Sequence, residues 1–99
     1  MKVIFCCSAA LSTSLLVEKI KNEAINQHIN IDIIVCPLTE LTSSIEADIV
    51  LLAPQVKYAK RQIEKLLHPI PVIDIPIRDY ALMDGKSVLT TIKDNISTK

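Results

Sequence analysis

Net charge and aromatic surface are what this sequence has least of. Eleven basic side chains balance eleven acidic ones, and the only aromatics are two tyrosines and one phenylalanine. A nucleic-acid-binding chain needs a basic stripe and rings on which bases can stack. With neither on hand, no nucleic-acid partner is expected. Long apolar runs are missing as well. Residues 49–54 and 70–72 form strand-sized runs, far short of the roughly 18 residues that cross a bilayer. The short apolar run after Lys2 leads into Ser8, Ser12 and Thr13, which is not the pattern of a secretory signal. A cytoplasmic protein without membrane insertion is the expectation. The three cysteines, Cys6, Cys7 and Cys36, are odd in number and include no C-x-x-C pair. That argues against a disulfide framework, a zinc site or a thioredoxin-like redox pair.

What is present is a folding composition. Apolar residues make up 49% of the 99 positions, which excludes disorder as a description of the whole. The length suits one domain over residues 1–99. No internal repeat, low-complexity stretch or linker interrupts it.

Residues 2–6 read as a short buried strand, apolar on both faces as central parallel strands are. A polar loop follows, and Thr13 or Ser14 is placed to cap a helix running to about residue 28. Its apolar stripe is Leu16, Ile20 and Ala24, with Leu15 and Val17 beside it. Residues 31–36 form a second strand, stopped at Pro37 and marked as an edge by Asp32. A turn of helix is expected over residues 39–43. Residues 48–53 are the most apolar strand and are expected at the centre of the sheet. A helix over residues 56–67 buries Ala59, Ile63, Leu66 and Leu67. Residues 72–75 make a fourth strand, 76–83 a loop, and Asp84 caps a last helix with Val88, Leu89, Ile92 and Ile96 inward. Residues 97–99 are expected to fray.

This alternation implies an α/β fold with a four-stranded parallel sheet, order 2-1-3-4, flavodoxin-like, with helices on both faces. In such a sheet ligands bind beyond the strand C-termini, at the switch point between strands one and three. The loop after strand one and the Ala53-Pro54-Gln55 turn flank that crevice.

The loop after strand one carries the chemistry. Cys7 is followed by Ser8, Ala9, Ala10, Leu11, Ser12, Thr13 and Ser14, and then by the helix. A free thiol at its reference pKa of about 8.5 is only about 3% thiolate at pH 7. Helix-start N–H groups and the helix dipole favour a thiolate or a phosphate there. The same donors would hold phosphoryl oxygens and stabilise their charge during transfer. In the competing reading both adjacent cysteines are small core residues and the hydroxyl run merely caps the helix. Adjacent cysteines at a strand end point to opposite faces, so one can pack while the other is exposed for chemistry. A low-molecular-weight cysteine phosphatase places its cysteine after strand one too, but needs C-x5-R. Here the position of that arginine is Thr13. Without the guanidinium fork, hydrolysis loses its bidentate clamp. The loop is suited to holding phosphate and passing it on.

The run from Cys7 to Leu16, C-S-A-A-L-S-T-S-L-L, closely resembles the C-S-A-G-M-S-T-S-L-L loop of the enzyme IIB components of the bacterial phosphoenolpyruvate-dependent sugar phosphotransferase system, lactose/cellobiose (chitobiose) class. Residues 47–55, A-D-I-V-L-L-A-P-Q, resemble that family's A-D-V-V-L-L-G-P-Q. Tyr58 falls where the family has a tyrosine, and Met83-Asp84-Gly85 lies in a tail similar to its Y-G-x-x-D-G-x-x-V-L. The resemblance spans the whole chain. It implies a phosphocarrier in which Cys7 accepts phosphate from a phosphohistidine of the IIA protein. The phosphate then passes to a sugar of the β-glucoside, cellobiose, chitobiose or lactose type bound in the membrane IIC protein. It implies no metal and no organic cofactor, and association with the inner membrane face only through IIC. Gln55 and Tyr58 stand where they would line the site or meet a partner. The family's two glycines are replaced by Ala10 and Ala53, leaving Gly85 as the only glycine. A positive φ at Ala10 would cost roughly 1 kcal/mol.

Two other readings stay open on sequence. One is a phosphatase or arsenate-reductase-like enzyme; the other is a regulatory module of the same fold with Cys7 as packing. His28 and His68 sit at helix ends without partner motifs, and Cys36 reads as packing. Lys57, Lys60, Arg61 and Lys65 form a basic helix face that would suit an acidic partner.

Overall fold

Strand β1 (Lys2–Cys7) begins where the β-branched and apolar residues do, and everything else is arranged around it. The computed structural model describes residues 1–8 and 14–96. Helix α1 (Ser14–Asn26) leads to β2 (Asp32–Pro37), and a 3-10 turn at Leu38–Glu40 precedes β3 (Ile49–Leu52). A second 3-10 segment, Pro54–Ala59, runs into α2 (Lys60–Leu67), followed by β4 (Val72–Asp74), α3 (Ile77–Ala81) and α4 (Gly85–Ile96). The four strands pair in parallel in the order β2-β1-β3-β4. The 2-1-3-4 sheet expected from the β-α alternation is the one observed, with Asp32 on an edge strand.

The two inner strands are the core. Val3, Phe5 and all four residues of β3 are fully buried, which requires cover on both sheet faces. Pairing in register puts Ile4, Cys6, Ile34, Cys36, Leu52 and Asp74 on one face, because side chains alternate along a strand. Helix α2 lies on that face, where its Lys60 Nζ meets Asp74 Oδ1 at 2.9 Å. Helices α1 and α4 pack together and cover the opposite face. Leu16, Ile20 and Ala24 of α1 and Val88, Leu89 and Ile92 of α4 are buried there.

Gly85 opens α4 against α1. A Cβ at this position would lie 2.6 Å from the Lys19 carbonyl carbon and 2.8 Å from the Ile20 nitrogen. The glycine is thus needed for close approach of two backbones, not for a turn. The left-handed positions go to other residues. His28, with φ 58°, ends α1, with Ile29 N–H donating to the Ala24 carbonyl at 2.8 Å. Met83, with φ 52°, ends α3, with Asp84 N–H donating to the Asp79 carbonyl at 2.9 Å. Both are Schellman-type ends, where glycine is the usual residue.

Several local expectations change. Leu15 is exposed, because it falls off the stripe centred on Leu16 and Ile20. Helical bonding after β2 stops at Glu40 instead of covering residues 39–43. The helix expected over residues 56–67 is split at Ala59, because Pro54 starts a tighter 3-10 segment before α2, and Leu66 is exposed. The supposed loop 76–83 contains α3, started by Pro76, which has no N–H to leave unpaired, and carrying Asp79 in its first turn. Asp84 caps α4 as expected: its carboxylate accepts from Ser87 N–H at 3.0 Å and Ser87 Oγ–H at 2.8 Å. That position holds its carboxyl below the ordinary range. The residues expected to fray, 97–99, lie outside the described residues.

Candidate functional site at the carboxyl end of strand one

Strand β1 continues one residue further than its apolar run suggests, so Cys7 belongs to the sheet and pairs in register with Pro37. On the other side of β1, Ala53 N–H donates to the Cys6 carbonyl at 2.9 Å, and Val56 N–H donates to the Ala53 carbonyl at 3.0 Å. These bonds carry the sheet beyond Leu52 and bring the Ala53-Pro54-Gln55 turn beside the start of the cysteine loop. Ala53 has φ −63° and ψ 153°, ordinary extended backbone. Alanine in place of the glycine seen in similar sequences therefore brings no backbone strain at this turn.

Cys6 and Cys7 point to opposite faces, yet both are fully buried. The expectation that one of them is exposed does not hold, because β1 keeps Cys7 within the sheet layers. Burial, and then charge at Cys36 and Cys7, push the Cys6 thiol up to about 12. Burial also pushes the Cys36 thiol up, followed by the charges of Glu40 and Cys7. Burial, with neighbouring charge adding to it, thus holds both Cys6 and Cys36 in their neutral form. Cys6 is a buried, protonated thiol at neutral pH. Cys36 is half-buried, and its thiol reaches the Pro37 carbonyl at 3.5 Å.

Ser8 is exposed immediately after the strand. Ala9, Ala10, Leu11, Ser12 and Thr13 lie outside the described residues, so the φ expected to test Ala10 is among the positions not described. Ser14 begins α1. Gln55 and Tyr58 both stand on the 3-10 segment that leaves β3, and both are exposed. Tyr58 is 80% exposed and borders a cavity of about 250 Å3 with Leu38, Leu41, Gln62, Ile63 and Leu66. The turn after β2 and the segment after β3 thus meet at the same end of the sheet.

Asp74 is the residue that sequence reasoning missed. At the end of β4 it binds Lys60 at 2.9 Å and Lys57 at 3.8 Å. The Lys60 hydrogen bond, partly opposed by burial, holds its carboxyl below the usual carboxylate range. Two of the four cations on the supposed free basic face are therefore already matched within the chain. An acidic residue closing an apolar strand, opposite lysines one helical turn apart, was the available signal. His28 is exposed, and His68 follows α2, exposed. Among the described residues no group of three or more His, Cys, Asp or Glu side chains is arranged to hold a metal ion. None of the described helices is long and apolar enough to cross a membrane.

Comparison with known proteins points to one family. Residues 2–91 match the family described as PTS system, Lactose/Cellobiose specific IIB subunit. The chain is 29% identical over 100 residues to the PTS system cellobiose-specific EIIB component of Lactococcus lactis subsp. lactis, covering 93% of each. It is 29% identical over 100 residues to the galactose-specific EIIB component of Lactococcus lactis subsp. cremoris, again with 93% of each covered. The solution structure of a cellobiose-specific IIB component from Borrelia burgdorferi is similar with a TM-score of 0.81 and 34% identity, over 100% of this chain and 94% of that one. A lactose-specific IIB domain from Streptococcus pneumoniae shares the fold, with a TM-score of 0.77 at 18% identity and 95% of both chains covered.

Proposed function

Because the chain belongs to the family of lactose/cellobiose-specific IIB subunits of the phosphotransferase system, we propose that Cys7 is its phosphoryl-carrying residue. Residues 1–99 act as one IIB domain. A phosphohistidine of the IIA protein gives its phosphoryl group to the Cys7 sulfur; the N–P bond breaks and an S–P bond forms. A sugar hydroxyl held by the membrane IIC protein then attacks phosphorus. The S–P bond breaks, the O–P bond forms, and the hydroxyl proton leaves to base. The sugar is of the β-glucoside, cellobiose, chitobiose or lactose type; the names of similar proteins mention cellobiose, lactose and galactose. The protein works at the cytoplasmic face of the membrane, reaching it through IIC.

The observation that carries this reading is the position of Cys7. It ends an inner strand at the switch point between β1 and β3, where ligands of such sheets bind. It is also followed within seven residues by a thirteen-residue helix, whose N-terminus favours a negative group. Ser8 and Ser12, Thr13 and Ser14 would add hydroxyl donors, with Ala9, Ala10 and Leu11 supplying loop backbone. Gln55 and Tyr58 would border the partner docking area. Cys6 supports the assignment by being unsuited to the role, its thiol pushed up to about 12.

The test is phosphorylation by phosphoenolpyruvate and the upstream phosphotransferase proteins, read by intact mass and peptide mapping. One phosphate should appear on Cys7 and vanish in Cys7→Ser. Label that persists undiminished in that variant would overturn the assignment.

A further inference from the structure

Cys6 and Cys36 are Cα partners on neighbouring parallel strands and share one face of the sheet. Adjacent strands lie about 4.8 Å apart, inside the Cα separation of roughly 4.4–6.8 Å that disulfides span. Closing the bond requires the two Cβ atoms to approach a little further. The place is favourable for that movement: Cys36 is the penultimate residue of edge strand β2, whose last residue is Pro37. Cys36 also borders a cavity of about 430 Å3 with Lys2, Ile4, Ile34, Glu40 and Ile45. A small molecule thus has a route to Cys36, and Cys6 lies directly behind it.

We propose that Cys36 and Cys6 form an oxidation site for low-molecular-weight disulfides, separate from Cys7, with Cys36 the entry thiol and Cys6 the resolving one. Cys36 loses its proton to solvent and attacks the small disulfide. Its S–S bond breaks, one small thiol leaves, and a mixed disulfide forms on Cys36. Cys6 then gives up its proton and attacks the Cys36 sulfur, expelling the second small thiol, which takes up a proton. Two protein thiols are oxidised and one small disulfide is reduced to two thiols. The product fastens β2 to β1 just before Cys7 and leaves the Cys7 sulfur unbonded to either. Both thiols are held protonated by burial and neighbouring charge, so the exchange is slow compared with that of an ordinary surface thiol.

The experiment treats the full chain with hydroxyethyl disulfide, a small neutral probe, and follows intact mass and tryptic peptides. Cys7→Ser should lose two hydrogens and join residues 3–19 to residues 22–57, the two tryptic peptides that contain Cys6 and Cys36. Cys6→Ala combined with Cys7→Ser should stop at one adduct on Cys36, persisting roughly tenfold longer than in Cys7→Ser alone, since no thiol then remains to resolve it. Circular dichroism checks that each variant is folded. Should one not fold, fragmentation of the crosslinked wild-type peptides at the backbone bond between residues 6 and 7 decides the same point, by showing which of the two cysteines is joined to Cys36. A Cys7→Ser chain that halts at the single adduct, or a wild-type crosslink mapped to Cys7, overturns the proposal.

Discussion

Gly85 rests on the backbone of Lys19, so closely that an added Cβ would be 2.7 Å from the Lys19 carbonyl oxygen. Neither atom belongs to a flexible side chain, so the clash can be relieved only by moving one helix off the other. Gly85→Ala is expected to destabilise the protein by about 2 kcal/mol or more, despite alanine's better helix propensity. A urea or thermal melt measures this; an unchanged midpoint would mean that α1 and α4 do not meet as described.

His28 gives the opposite expectation. It holds φ 58° without being glycine, and the left-handed region costs an ordinary residue roughly 1–2 kcal/mol. Glycine recovers that cost less its own entropy in the unfolded chain. His28→Gly should therefore stabilise by about 0.5–1 kcal/mol, measured by the same melts.

Asp74 makes stability depend on pH in a defined direction. Its folded carboxyl titrates below the ordinary value because of Lys60, so its contribution is fully present above the unfolded pKa of about 3.9. The contribution is lost as pH falls through the lowered folded value. Asp74→Asn should cost about 0.5–1 kcal/mol at neutral pH, as expected for a partly exposed pair. The gap to wild type should close in acid. A gap that stays constant down to acid unfolding would exclude the pairing as its source.

Transfer and hydrolysis can be separated on the isolated chain. With Thr13 in place of the arginine of phosphatase loops, no steady turnover of p-nitrophenyl phosphate is expected. Sustained release of p-nitrophenol, abolished by Cys7→Ser, would favour the phosphatase reading over the carrier.

Much of the fold was legible because it rests on local patterns. Apolar runs gave the four strands, and their alternation with helical stripes gave their order and parallel pairing. Asp84 was readable as a cap because capping is a matter of a few adjacent residues. What stayed hidden depends on distant segments meeting. The pairing of Cys6 with Cys36 comes from register, and the burial of Cys7 from where β1 ends and what covers it. The short helix α3 escaped notice because five residues are too few to show a period. The cysteine loop was legible as a motif, whereas the match of Lys57 and Lys60 to Asp74 needed β4 beside α2.

The hydrogen bond from Ala53 to the Cys6 carbonyl fastens the residue before Cys7 to the neighbouring strand. The root of the Cys7 side chain is therefore fixed in the hydrogen-bonded sheet, unlike cargo on a lipoyl or biotinyl arm. A group carried on that sulfur has no tether to swing on. If Cys7 carries the phosphoryl group as proposed, delivery from one partner to the next would come from release and re-docking of the whole body, and the turnover rate should follow partner concentration and encounter rate.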